Sequence, residues 1–132
     1  MKTENIKFKA KRLDNGEWVC GYFYEENGNT YIIENRQEES KLNRNLTYQV
    51  DPSTVCQFTG LKDEDGKEIW EHDILKNYPM ENEVVFKNGS FMIIEDYGDE
   101  INEVPLSEMI YEDGICILEK IDSKFDRKEG EK

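Results

Sequence analysis

Residues 59–75, TGLKDEDGKEIWEHDIL, crowd six carboxylates around the chain's one histidine, His72. Three chemistries could use such a stretch: a calcium loop, a pair of catalytic acids, or a tight turn. Calcium fits poorly. With Gly66 at the sixth position of an EF-hand loop, Asp63 and Asp65 fall at the third and fifth, but Leu61 takes the first and His72 the twelfth. Those two positions need ligand oxygens, the last a bidentate carboxylate. Acid–base catalysis needs a carboxyl sheltered enough to raise its pKa. Asp63, Asp65, Glu68, Glu71 and Asp73 come with Lys62 and Lys67 at what reads as a wet turn tip. His72 has no serine or cysteine nucleophile pattern near it. The chain also lacks a phosphate-binding glycine loop, a G-x-S-x-G and an H-E-x-x-H. No enzyme, catalytic residue, metal site or cofactor is expected. As a turn the stretch makes sense throughout: Leu61 leads in, Asp63 to Gly66 reverse the chain, and Ile69 and Trp70 resume the apolar pattern. Asp73 is then placed to accept a backbone N–H at the start of the next strand. Gly60, Leu61, Gly66 and Ile69 read as architectural. Trp70, His72 and Asp73 are the candidate binding residues, because a turn that projects an aromatic beside a carboxylate can recognise a partner.

The elements around this turn read as β. Asn15-Gly16, Asn27-Gly28, Asp65-Gly66, Asn88-Gly89 and Asp113-Gly114 are turn dipeptides, most of them between aromatic and β-branched runs such as EWVCGYFY, NTYIIE, EVVFK and SFMIIE. In IKFKAK, Ile6, Phe8 and Ala10 share one face and Lys7, Lys9 and Lys11 the other, as on a charged edge strand. Asp51-Pro52 predicts a single capped turn, and residues 105–110 another. ENRQEESKLNRNLT (34–47) reads as a long loop. The expected fold is mostly β: two small antiparallel subdomains over 1–58 and 59–121, then a polar tail over 122–132. The second is expected to be a curled, SH3-like sheet or barrel in which DIL pairs near the hairpin EVVFKNGSFMII.

Charge divides the chain. Residues 1–58 carry 8 Lys/Arg against 9 Asp/Glu, and residues 59–132 carry 9 against 21, within a net charge of −13. So acidic a surface repels phosphates and anionic membranes unless a basic face is kept apart from it. No apolar run approaches a membrane span, and the start has no signal-peptide core. Cys20, Cys56 and Cys116 form no metal or disulfide pattern and are expected as small buried side chains in a reducing cytoplasm.

QFTGLKDEDGKEIWEHDIL resembles the signature of the YopX family of phage and prophage proteins. The pattern is filled here by Phe58 to Asp63, Gly66-Lys67, Trp70-Glu71 and Asp73-Ile74; His72 stands where the family usually has glycine. IKFKAKRLDNGEWVCGYF, YQVDPSTVCQ, EVVFKNGSFMII and, more weakly, MIYEDG are similar to other family segments. The resemblance implies a mostly β fold and a phage or prophage origin, hence the cytoplasm of a bacterial host. It implies no activity and no cofactor.

The leading functional expectation is an accessory protein that acts by binding, to itself as a homo-oligomer and to a host or phage protein, with no membrane role. A second is nucleic-acid binding through Lys7, Lys9, Lys11 and Arg12 with Trp18, Tyr22 and Tyr24, a basic and aromatic set on strands. A third is inhibition of a host DNA-binding protein by the acidic half, imitating a phosphate array.

Overall fold

Asn27-Gly28 and Asn88-Gly89 each reverse the chain with two successive residues at positive φ, 54° and 81° in the first pair and 54° and 84° in the second. This is the type I′ geometry that suits the twist of paired strands, and it sets the hairpin register. A computed structural model describes residues 5–34, 46–77, 80–112 and 114–127. The expected loop over 34–47 lies outside these residues except at its ends, as do Asp113 and residues 128–132. Among the described residues the regular structure is strand with short 3₁₀ turns, in two units, Met1–Gln57 and Phe58–Lys132. The mostly β, antiparallel fold is the one the sequence predicts.

In the first unit β1 (Phe8–Lys11), β2 (Trp18–Glu26), β3 (Asn29–Glu34) and β4 (Thr47–Val50) pair antiparallel in chain order. Directly opposed residues share a sheet face. Ala10 lies opposite Val19, and these two with Ile32 and Val50 are buried as one cluster, with Phe8, Tyr48 and Val55 packed on it. The sheet then curls back on itself. Arg12 bridges to Val50 beyond the end of β1. The Leu13 N–H donates to the Gln49 carbonyl at 3.1 Å, and the Asp51 N–H to the Lys11 carbonyl at 2.9 Å.

The Lys-bearing strand is not the edge that its charge pattern predicts. Besides β2, β1 pairs with the first residues of β5 (Cys56–Lys62), Phe8 with Gln57 and Lys9 with Cys56. Its lysines stay on an outer face because alternation, not edge position, puts them there. Cys56 and Cys116 are buried as expected, but Cys20 is exposed, since it lies opposite Lys9 on that outer face. The predicted turn forms over Pro52–Thr54, with the Asp51 carboxylate accepting the Ser53 N–H at 3.0 Å.

In the second unit the rest of β5 pairs with β6 (Glu68–Trp70). The register slips between Phe58 and Leu61, where Gly60 has φ +87° and makes a bulge. A meander follows: β7 (Asp73–Asn77), β8 (Met80–Lys87), β9 (Ser90–Asp96) and β10 (Ile101–Pro105). The DIL segment thus pairs with the hairpin as predicted. A 3₁₀ turn over Leu106–Met109, the predicted second turn, leads to β11 (Ile110–Glu112) and β12 (Ile115–Cys116), which pair with each other. Then β13 (Glu119–Ser123) returns beside β7, giving the order β10-β9-β8-β7-β13. Ile69, Leu75, Val84, Ile93, Leu106, Cys116 and Leu118 form this unit's core. The last strand takes in Asp122 and Ser123, at the start of the expected tail, and a 3₁₀ turn over Lys124–Asp126 follows it.

Thr54 locks the first unit's closing turn. Its buried hydroxyl donates to the Asp51 carbonyl at 2.7 Å and accepts the Lys11 N–H at 2.9 Å. Thr54→Val keeps the shape but strands that N–H, so a loss of about 1–3 kcal/mol in urea unfolding is expected. Stability equal to wild type would show that the turn is held by other contacts.

Candidate functional site

The signature's acids turn inward. Asp63 is 3% exposed. Its Oδ1 accepts the N–H groups of Asp65 and Lys67, both at 2.9 Å, and its Oδ2 accepts the N–H of Lys120 at 3.1 Å. Asp73 is fully buried. Its Oδ2 accepts the Trp70 N–H at 2.7 Å and lies 3.1 Å from Lys120 Nζ, which also donates to the Glu68 carbonyl at 3.0 Å. One residue of β13 therefore serves both acids, with its backbone for Asp63 and its ammonium for Asp73. Thr59 completes the hairpin by donating to the Ile69 carbonyl at 2.7 Å and accepting the Leu61 N–H at 3.1 Å.

Two expectations meet different outcomes here. Asp73 does accept a backbone N–H at the strand start. The wet turn tip holds for exposed Glu64 and Asp65 but not for Asp63 or Asp73, which the final strand shelters. Lys120 was missed altogether, and no local signal marks it, since one lysine among the alternating residues of EKIDS reads as solvated.

Of the three candidate binding residues, Trp70 is buried, with its ring centroid 5.2 Å from that of Phe58, and Asp73 is buried beside Lys120. His72 alone of the three is partly open to solvent. Its backbone is left-handed, φ 69°, a conformation that costs a non-glycine residue about 1–2 kcal/mol. The surroundings offset this. Nδ1 donates to Glu83 Oε2 at 2.7 Å, Nε2 lies 3.5 Å from Glu71 Oε2, and the ring meets Phe125 edge-on with centroids 5.2 Å apart. The Lys124 N–H donates to the His72 carbonyl at 2.8 Å, and Lys124 Nζ is 3.7 Å from Glu83 Oε1. The Glu83 hydrogen bond raises the His72 pKa above the ordinary imidazole value, against the opposing effect of burial. The same bond lowers that of Glu83, again against burial. Both ring nitrogens face carboxylates, so the group is built to hold the C-terminal turn as an ion pair.

The basic and aromatic set of the first unit divides between faces. Lys9 and Lys11 lie opposite Cys20 and Trp18 on the outer face, and Tyr22 and Tyr24 follow Trp18 on the same side of β2. Tyr31 joins them from β3, its ring stacked on Tyr24 at 5.1 Å and 20°. Lys9 Nζ sits 4.4 Å and Lys11 Nζ 5.3 Å from the Trp18 ring centroid. Arg12 stands apart from them, over the Tyr48 ring at 4.2 Å and paired with Asp14. Lys7 precedes β1 and is half-buried. Tyr31 was missing from the sequence-derived set, although NTYIIE marks a strand opposite EWVCGYFY.

A mostly β chain carrying this hairpin signature defines a class. The family model described as YopX protein matches residues 7–129, and the chain belongs to the YopX family. No curated protein matches it.

Lys120→Met leaves Asp73 buried without that ammonium, and a loss on the order of 3 kcal/mol in urea unfolding is expected. The exposed Lys124→Met is the control, and equal losses in the two would remove Lys120 from its central place. The His72–Glu83 pair carries a pH signature. A raised histidine pKa contributes stability that is complete below about 6.5 and lost as pH rises through the folded value. A lowered glutamate pKa contributes stability that is present above about 4.3 and lost as pH falls through the folded value. The pair's contribution is therefore greatest in the window between. NMR titration of the one imidazole should give a pKa above that of a model peptide, and Glu83→Gln should bring it down. An unshifted wild-type value would contradict the pairing.

Proposed function

We propose that this YopX-family chain is a phage or prophage accessory protein that acts by binding rather than catalysis, and that copies of it associate. The fate of the signature's acids carries the binding reading. Asp63 and Asp73, the two sheltered carboxylates in the motif, accept backbone N–H groups and lie against Lys120, and both nitrogens of His72 face carboxylates. Groups engaged in this way shape the hairpin, which supports a binding role over a catalytic one.

An opening in the second unit supports self-association. Leu61, Phe86, Phe91, Leu106 and Ile110 line an apolar groove, and Phe86 at its rim is 49% exposed. An apolar surface of this kind is commonly covered by a partner, and a second copy is the partner always at hand. Sedimentation equilibrium at micromolar concentration is expected to give a multiple of the 15.6 kDa chain mass. Phe86→Glu, at an exposed position, should return the protein to that mass with its fold intact. A monomeric wild type would end the self-association reading.

A further inference from the structure

We propose that the outer face of the first unit's sheet is a binding platform for single-stranded nucleic acid, with Trp18, Tyr22, Tyr24 and Tyr31 stacking bases and Lys9 and Lys11 holding phosphate. This rests on the binding reading above and names the partner. On an extended strand alternate residues share a face about 6.6–6.8 Å apart, so Trp18, Tyr22 and Tyr24 form a row along β2, and Tyr31 widens it across β3. The stacked Tyr24–Tyr31 pair presents nearly parallel rings, and Tyr22 beside it is 38% exposed. Such rings accept any base, because every base has a π face.

Charge selects the occupant. Two ammonium groups converge over the single Trp18 ring. Their positive charge adds a salt-dependent attraction for phosphate at that end of the aromatic row. The residues up to 58 are nearly balanced, whereas the acid excess lies beyond them, so the lysine end of this face is where a polyanion can approach. A duplex hides its base faces and would gain only from the lysines. The aromatic row therefore favours a single strand.

The test uses the full chain with oligodeoxythymidine at low salt. Trp18 and Trp70 are the two tryptophans, and Trp70 is buried, so stacking should quench the fluorescence of Trp18, with Trp70→Phe isolating the signal. Affinity should fall with salt on a log–log slope of about −1.4, about −0.7 for each of two phosphates. Changing Lys9 and Lys11 together to Gln should flatten that slope. Tyr22→Leu, at an exposed position, should weaken binding about tenfold or more at unchanged thermal stability. Cys20 gives a readout that needs no variant. It is the exposed cysteine, it lies opposite Lys9, and the bound strand should slow its alkylation. No quench and no protection of Cys20 at low salt would overturn the proposal. So would duplex binding as tight as single-strand binding, or loss of a captured protein in the same variants without any effect of the oligonucleotide. In each of these cases self-association measured by sedimentation stands or falls separately.

Discussion

Lys120 is the contact on which the second unit depends. Its ammonium meets Asp73 and the Glu68 carbonyl, and its N–H meets Asp63, so one residue of the last strand fixes both ends of the signature hairpin. A carboxylate cannot be buried without compensation, since the desolvation of an ion costs several kcal/mol. Backbone donors and one lysine supply that compensation here, and they do so with fixed geometry. Apolar residues in the same places would pack as well but would not specify which strand must lie against the hairpin. The signature therefore reads as a device of assembly, and its acids have a physical reason to be where they are.

The first unit solves its own problem differently. Its core holds one alanine, two valines and one isoleucine, a small amount of apolar surface for a sheet. Closing the sheet through Arg12, Leu13 and Asp51 supplies hydrogen bonds where a flat edge would leave groups unpaired. Phe8 and Tyr48 pack on this small interior, while Trp18, Tyr22, Tyr24 and Tyr31 lie on the other face of the sheet. Tyr22 on that outer face and Phe23, opposite Ile32, are both substantially exposed.

Much of the architecture was legible because it is written locally. Asn-Gly turns and the Asp51-Pro52 cap depend on a few adjacent residues, and each appears as read. The same local logic identified the signature as a turn. What escaped depends on residues distant in sequence. Burial of Asp63 requires β13, whose lysine looked like any solvated lysine. The interior position of β1 follows from pairing with Cys56 and Gln57, and no alternation pattern reports a neighbour. Trp70 and Asp73 were put forward for display on the strength of residue type, but depth within a sheet is a tertiary property. His72 falls between these cases: its sequence position marked an unusual backbone, and φ 69° is what the chain adopts there.

Synthesis order gives the Lys120 contact a temporal meaning. Domains emerge and fold from the N-terminus as the chain is made. The strand contacts of the first unit close by Gln57, so none of them waits for the residues made later. The hairpin made soon afterwards carries two acids whose lysine lies 57 residues beyond Asp63. Until β13 leaves the ribosome, Asp63 lacks the Lys120 N–H and Asp73 lacks the Lys120 ammonium. The last strand thus acts as a latch on the nascent chain, and a message truncated before residue 120 would yield a second unit that lacks the lysine its two buried acids share.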